Sequence, residues 1–181
     1  MNETLKEYIG DVDLTNYKYL NVVFDEVAGC GLLDQTFQLK MYLKIAYELG
    51  LILILPKRNL AKKHNGGVEI PLIFSDYYDI DSIKVNGVAV DVAVTPVDCP
   101  SSEVLKINSI KREAGIDIFK KVSQELNYKV VIVACKDDVE LGREFVEINK
   151  IEGCVHIRRT DRCRRGHLNR GVSGKEWDIA N

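Results

Sequence analysis

The stretch from residue 18 to residue 56 most constrains what this chain can fold into. Residues 18–24 end in a continuous apolar run, which is typical of a strand that is covered on both faces. Glycines then interrupt the pattern, and residues 34–49 follow a helical period that a glycine ends. A second apolar run, residues 51–55, is closed by a proline. This order of strand, glycine loop, helix and strand predicts a βαβ unit, and therefore a parallel sheet.

The predicted helix has two apolar stripes and one charged face. Asp34 is expected to cap its N-terminus and Gly50 to end it. Charged side chains recur at the spacing of one helical turn, which predicts a solvent-exposed face. The inward stripes are predicted to be Phe37, Met41, Ile45 and Leu49 and, beside them, Leu39, Leu43 and Ala46, and the solvent face Lys40, Lys44 and Glu48.

The rest of the chain is predicted to add shorter elements to this unit. Asn86-Gly87 is the preferred type I′ turn, so residues 83–90 are expected to form a small hairpin. The other predicted elements are strands at 68–74, 129–135 and 153–157, helices at 116–126 and within 138–149, and a loop at 95–102. The expected fold class is α/β, with a Rossmann-like parallel sheet and flanking helices.

Composition narrows the class of protein further. A chain of 181 residues, 46% of them apolar, is long enough for one globular domain and too short for two full-sized ones. Its net charge of −2 excludes a general basic field that would attract nucleic acid. Five cysteines, none in a Cys-x-x-Cys pair, favour reduced thiols. No signal peptide and no apolar run long enough to span a bilayer is found, so we expect a cytoplasmic protein with no membrane segment.

The glycine loop at residues 25–31 is the first candidate site. Backbone N–H groups between a strand and a helix can approach an anion or a sugar closely, and ligands bind at this end of the strands in open α/β sheets. The loop lacks the third glycine of the dinucleotide-binding fingerprint, and no Gly-Lys-Ser/Thr follows as in a P-loop. A tight turn without a ligand is the alternative interpretation of Gly29 and Gly31.

The segment at residues 156–170 is the second candidate site. It holds six arginines and one aspartate, a local net charge of +5 in an acidic protein. Guanidinium groups suit bidentate contact with phosphate oxygens, and Arg158 directly follows the predicted strand 153–157. The alternatives are a solvated basic tail and a nucleic-acid-binding segment whose affinity would fall with salt.

The histidines are weaker candidates. His156 lies in the predicted last strand, where a hydrogen-bonded structural role and a role as general base are both open. His64 and His167 have no partners at metal-ligand spacing, so no metal site is expected. The arginine segment is therefore the stronger candidate for chemistry.

The run His156-Ile157-Arg158-Arg159-Thr160-Asp161 resembles the phosphate-binding motif of the GDP-fucose-dependent fucosyltransferases. Its sequence is most similar to the motif of the α1,6 group. Two further segments are similar in content and order. Residues 29–56 resemble the family's opening Gly-x-x-Asn-Gln segment, long helix and apolar strand ending in proline. Residues 74–81 are similar to the Phe-x-x-x-Phe/Tyr-Asp segment of the O-fucosyltransferases. The similarity touches most of residues 18–163.

The resemblance implies a glycosyltransferase of the two-lobed GT-B fold, which works without a metal ion or a bound cofactor. Residues 1–150 would form the N-terminal, acceptor-side lobe, and residues 151–181 would begin the donor lobe, so a partial chain is expected. The implied partners are GDP-fucose as donor and a glycan or a protein as acceptor, with no nucleic acid.

The resemblance also implies the roles of individual residues. Arg158 would bind the β-phosphate of the donor and stabilise the departing diphosphate, because a fixed guanidinium offsets the charge that develops on the leaving oxygen. The other donor-side residues would be His156, Arg159 and Asp161, and Gly29 and Gly31 would line the cleft on the acceptor side.

The chain departs from the family pattern at two places. Asp34 stands where relatives usually have asparagine. No carboxylate follows the arginine motif where the α1,6 group has its glutamate, which leaves Glu26, or Asp25 beside it, as the candidate catalytic base. A non-catalytic module that binds a nucleotide sugar is therefore an alternative, and a nucleic-acid-binding protein that uses the arginine cluster is a second one.

Overall fold

A computed structural model describes the chain at residues 1–24, 31–60, 68, 70–93, 99–110 and 118–152. The chain forms two compact units, Met1–Val139 and Glu140–Asn181. The described helices are α1 (Glu3–Ile9), α2 (Leu32–Leu49), α3 (Ile118–Glu125) and α4 (Lys136–Ile148), and short 3-10 turns lie at Leu14–Asn16, Phe74–Asp76 and Ser101–Glu103. The described strands are β1 (Tyr19–Val23), β2 (Ile52–Ile54), β3 (Arg58–Leu60), β4 (Ile70–Leu72), β5 (Tyr78–Val85), β6 (Val88–Ala89), β7 (Val92–Ala93), β8 (Val104–Asn108) and β9 (Val130–Ala134).

A four-stranded parallel sheet is the main sheet of the first unit. Its order is β7-β2-β1-β8, and each neighbouring pair runs parallel. Helix α2 joins β1 to β2, which confirms the predicted βαβ unit. The chain then forms β7, which lies on the same side of β1 as β2, and crosses to β8 on the other side of β1. The predicted class, an α/β fold with a parallel sheet and flanking helices, is confirmed, and the strand order reverses between β1 and β8.

One face of this sheet packs into the hydrophobic core. Leu20 and Val22 of β1 are buried there, next to Leu105 of β8, which pairs with Leu20 in the register of the two strands. Val23 points to the opposite face and is 45% exposed. The prediction that this strand is covered on both faces is therefore wrong. Successive side chains of a strand alternate between faces, and only one face of β1 receives close packing.

Helix α2 is buried around most of its circumference. As predicted, Leu39, Met41, Leu43, Ile45, Ala46 and Leu49 are buried. Phe37, which was predicted to face inward, is 54% exposed. The buried polar residues Gln35 and Thr36 take the inward positions of this turn instead. Successive helical residues lie about 100° apart, so Phe37 is turned away from the core.

Hydrogen bonds explain why polar side chains are buried in the first turns of α2. The Gln35 Nε2 atom donates to the backbone carbonyl oxygen of Asn59 at 3.0 Å. The hydroxyl groups of Thr36 and Tyr78 hydrogen-bond to each other. Buried polar groups require such partners, and these contacts attach the start of α2 to β3 and to β5.

The predicted solvent face of α2 is half-buried. The Tyr128 hydroxyl, between α3 and β9, donates to the Glu48 carboxylate, and its ring packs edge-to-face on Tyr47. Partial burial lowers the pKa of Lys44 below its ordinary value. The charged face therefore serves in part as a packing surface for the chain around Tyr128.

A second sheet is antiparallel, in the order β6-β5-β9. The predicted hairpin is confirmed, because Asn86 and Gly87 between β5 and β6 have φ values of 51° and 81°, the positive values that a type I′ turn requires. Strand β9 was predicted as a buried strand, yet Val131 and Val133 are exposed. That part of the prediction is wrong, since one face of β9, the one that carries Val131 and Val133, is exposed to solvent.

The remaining predicted elements are confirmed in part. The predicted strand within 68–74 is confirmed as β4, which pairs antiparallel with β3, and the two later helices are confirmed as α3 and α4. Strands β3, β7 and β8 were not predicted. The predicted strand 153–157 lies outside the described residues.

Replacing Gly87 by alanine is expected to lower the free energy of unfolding by about 1–2 kcal/mol, the cost of a left-handed conformation for an L-residue. A Cβ atom at Gly87 would meet nothing within 4 Å, so the cost comes from the positive φ alone. Gly142→Ala in α4 is the matched control. Its Cβ also meets nothing within 4 Å, and alanine inside a helix is expected to gain up to about 1 kcal/mol. Urea unfolding measures both, and equal changes would contradict the turn geometry.

Candidate functional site

Gly31 is the predicted site residue that falls within the described part of the chain. It caps the N-terminus of α2 with φ −66° and ψ 164°, so the predicted cap at Asp34 is wrong and the helix begins earlier. Asp34 lies in the first turn instead, and Gly50 ends the helix in the left-handed conformation, as predicted. The other predicted site residues lie outside the described residues: Asp25, Glu26, Gly29, His156, Arg158, Arg159 and Asp161.

The two flanks of the glycine loop lie at the carboxyl edge of the parallel sheet. Phe24 follows the carboxyl end of β1, and Gly31 begins α2. This end of β1 lies where the strand order reverses between β1 and β8, which is where open α/β sheets bind their ligands. The described flanks thus agree with the predicted place of the loop in the fold.

The start of α2 offers hydrogen-bond donors with a specific electrostatic character. The first backbone N–H groups of a helix have no acceptor within the helix, and Gly31 makes no side-chain cap bond to them. The Gly31 conformation is open to any residue, and a Cβ atom there would meet nothing within 4 Å. The exposed carboxylate of Asp34 stands in the same turn. A nearby carboxylate repels phosphate, so this helix start suits hydroxyl groups of a sugar better than an anion.

Arg58 holds a fixed place at the same edge of the sheet. It is the first residue of β3 and follows the end of β2 closely. Its guanidinium carbon lies 4.0 Å from the centroid of the Phe24 ring, a cation–π contact. Its Nη1 atom donates to the Oε1 atom of Gln38 in α2. Arg58 therefore contacts both the end of β1 and the helix that follows the glycine loop.

Tyr42 extends this group of contacts to β8. Its ring packs edge-to-face on Phe24, with the centroids 5.5 Å apart. Its hydroxyl accepts a hydrogen bond from the backbone N–H of Ile110 at 3.0 Å, just beyond β8. Burial raises the pKa of Tyr42, against the lowering effects of that hydrogen bond and of the Arg58 charge. We call Phe24, Gln38, Tyr42 and Arg58 the edge cluster, because together they join the ends of β1, β2 and β8.

The edge cluster was missed in the sequence, although one signal was present. Phe24 and Arg58 each come soon after one of the two predicted strands of the βαβ unit. Residues that follow parallel strands meet at one edge of the sheet, so an aromatic ring and a guanidinium in these positions are candidates for contact. The contacts of Gln38 and Tyr42 could not be predicted in this way, because they depend on how α2 is turned about its own axis.

A second buried tyrosine lies close to the end of β8. The Tyr8 hydroxyl in α1 donates to the carbonyl oxygen of Asn108. Burial raises the pKa of Tyr8, and the neighbouring Tyr42 adds to the effect. The hydroxyls of Tyr8 and Tyr42 thus both hydrogen-bond to backbone groups at the carboxyl end of β8. These bonds attach α1 and α2 to that end of the strand.

Stability is expected to fall as the pH rises above about 10, the ordinary pKa of tyrosine. The pKa values of Tyr8 and Tyr42 are raised in the folded protein, so above this pH the unfolded chain binds fewer protons than the folded one. The free energy of unfolding then decreases, by up to about 1.4 kcal/mol per pH unit for Tyr42. Urea unfolding between about pH 9 and about pH 11 measures the slope. Tyr42→Phe is expected to reduce it, and an unchanged slope would contradict the assignment.

Three other features of the described residues bear on the site. No group of three or more His, Cys, Asp and Glu side chains in the described ranges could hold a metal ion. Cys99 is a free thiol, and the Cys135 Sγ donates to the backbone carbonyl oxygen of Ser75 at 3.5 Å. Within the part of the chain that the structure describes, no helix is long and apolar enough to cross a membrane.

Comparisons with known proteins identify no relative. No family model, no curated protein and no solved structure matches this chain. The resemblance to fucosyltransferases therefore stays an expectation from the sequence motifs, beside a fold that is established at the level of a parallel α/β sheet.

Proposed function

We propose that this chain is a fucosyltransferase-like glycosyltransferase that binds GDP-fucose and transfers the sugar to a glycan or protein acceptor. One structural observation carries the proposal. The loop with the motif-like glycines leaves the carboxyl end of β1 and enters α2 at Gly31, beside the reversal of strand order. This is the position in which an α/β sheet presents a loop to a ligand.

Different residues bind the donor phosphate, bind the sugar and accept the proton. Arg158 binds the β-phosphate, and its guanidinium stabilises the charge on the leaving diphosphate as the bond to the sugar breaks. The first backbone N–H groups of α2, beside the Asp34 carboxylate, bind hydroxyl groups of the sugar. Glu26 takes the proton of the acceptor hydroxyl as the new glycosidic bond forms, so the products are the fucosylated acceptor and GDP.

A thermal-shift titration tests the proposal. The melting temperature is expected to rise with the concentration of GDP and of GDP-fucose, because a ligand that binds only the folded state stabilises it by about 2.7 kcal/mol at a hundredfold excess over Kd. ADP and UDP are the matched controls and are expected to give smaller shifts. No shift with millimolar GDP or GDP-fucose overturns the proposal.

A further inference from the structure

We infer that Arg58 is a positioning residue for the glycine loop: it holds the two flanks of the loop at a fixed separation through Phe24 and Gln38. The inference rests on the proposed function in one respect, namely that the loop contacts a nucleotide sugar. The contacts of Arg58 themselves are independent of that function.

The Arg58 side chain touches both flanks of the loop. The guanidinium carbon lies over the ring of Phe24, the last described residue before residues 25–30. An edge nitrogen, Nη1, donates to Gln38, which lies two turns into the helix that begins after the loop. The face and the edge of a planar guanidinium can serve two partners at once, whereas a lysine ammonium has neither a face to stack nor a fork of donors.

Arg58 is itself held in place by its backbone and by the next residue. The backbone of β3 pairs antiparallel with β4, with Arg58 opposite Leu72. The next residue, Asn59, accepts the hydrogen bond from the buried Gln35 side chain in the first turn of α2. The guanidinium therefore extends from a backbone that is attached to the same helix it contacts.

Phe24 is also held by a second partner. Its ring packs against Tyr42, and the Tyr42 hydroxyl is bonded to the backbone beyond β8. Phe24 thus contacts both an aromatic ring from the core and the guanidinium of Arg58. Arg58 is half-buried and lies outside the apolar core cluster, so its replacement is expected to leave that cluster intact.

Amide hydrogen exchange of the ligand-free protein tests the positioning role. Arg58→Met is expected to speed exchange about tenfold in peptides that cover residues 24–36, since the cation–π contact and a charged hydrogen bond are lost together. Arg58→Lys is expected to speed exchange by a smaller factor than Arg58→Met, because an ammonium keeps the charge and a cation–π contact but lacks the planar fork of donors. Peptides from β5 and β9 are expected to exchange at the rate of the unmodified protein.

Two further variants keep the test decisive. Lys57→Met removes the exposed neighbouring charge and is expected to change nothing. Gln38→Met removes the acceptor on α2 and is expected to speed exchange in the same peptides by a smaller factor, with little further effect when Arg58→Met is added. Unchanged exchange at residues 24–36 in Arg58→Met overturns the inference, and so does an equal acceleration in every peptide.

Binding of GDP-fucose separates this inference from the function it rests on. If the loop contacts the sugar, Arg58→Met is expected to raise the Kd for GDP-fucose about tenfold while Lys57→Met leaves it unchanged. If the unmodified protein binds no GDP-fucose, the proposed function fails, and the exchange experiment still decides whether Arg58 holds the flanks. If exchange accelerates and the Kd stays the same, the role of Arg58 in ligand binding is refuted.

Discussion

Replacing Leu43 by alanine is expected to lower the free energy of unfolding by about 2–5 kcal/mol, the usual cost of truncating a fully buried leucine. Leu43 lies in α2 and is only 2% exposed, within the core cluster that joins this helix to the parallel sheet. The lost transfer free energy and the cavity left behind add together, because the helix and the sheet cannot close the gap fully. Urea unfolding followed by circular dichroism measures the change.

Phe37→Ala is the matched control on the same helix. Phe37 is the larger side chain, and the sequence pattern predicts it in the core, but it is 54% exposed. Its truncation is expected to change the free energy of unfolding by less than about 0.5 kcal/mol, as for most surface substitutions. If Phe37→Ala destabilised the protein as much as Leu43→Ala, the rotation of α2 described above would be wrong.

Replacing Arg158 by alanine is expected to weaken GDP binding by about tenfold to a hundredfold. A hydrogen bond to a charged group contributes about 1.5–3 kcal/mol, which corresponds to this range of Kd. The proposed function assigns the β-phosphate contact to this residue. Isothermal titration calorimetry with GDP, at fixed ionic strength, measures the change.

Arg170→Ala is the control for the Arg158 prediction, because it removes the same charge from the same arginine-rich segment. It is expected to change the Kd for GDP by less than about twofold, since the proposal gives Arg170 no phosphate contact and salt screens a charge that acts only at long range. Equal losses in the two variants would indicate a diffuse electrostatic attraction by the segment as a whole. That result would contradict a specific phosphate contact of Arg158.

The βαβ unit could be predicted from the sequence because each of its signals is local. Gly50 ends α2 in a left-handed conformation and begins the turn into β2, and an apolar run marks each strand. The hairpin at Asn86-Gly87 was predictable for the same reason, since the turn type follows from two residues that accept positive φ. In both cases the tertiary structure agrees with what the local chain prefers.

Other parts of the fold depend on partners that are distant along the chain. Strand β7 has two residues and exists because it pairs with β2, and β8 is fixed by a five-residue register with β1. The exposure of Phe37 follows from the hydrogen bonds of Gln35 and Thr36 to β3 and β5. The apolar pattern of the helix carries no information on these polar contacts. It therefore predicts an inward-facing stripe that wrongly includes Phe37.

The candidate site was predictable in part. The glycine loop was assigned to the carboxyl end of the first strand, and Phe24 and Gly31 lie where that assignment requires. The edge cluster could not be obtained from motifs, because it joins side chains from β3 and α2 to the residue after β1 through a cation–π contact and an amide. Such contacts depend on side-chain direction and have no spacing rule in the sequence.

Amide hydrogen exchange with and without GDP-fucose tests the central claim most directly, because it reports which edge of the sheet binds the ligand. The account predicts slower exchange in peptides that cover residues 24–36 and 156–161 when GDP-fucose is present. Residues 15–18 and 102–103, at the opposite edge of the sheet, line an open cavity before β1 and β8, and peptides that cover them are expected to show no change. Slower exchange only in the peptides that cover residues 15–18 and 102–103, or in no peptide at saturating GDP-fucose, would contradict the account.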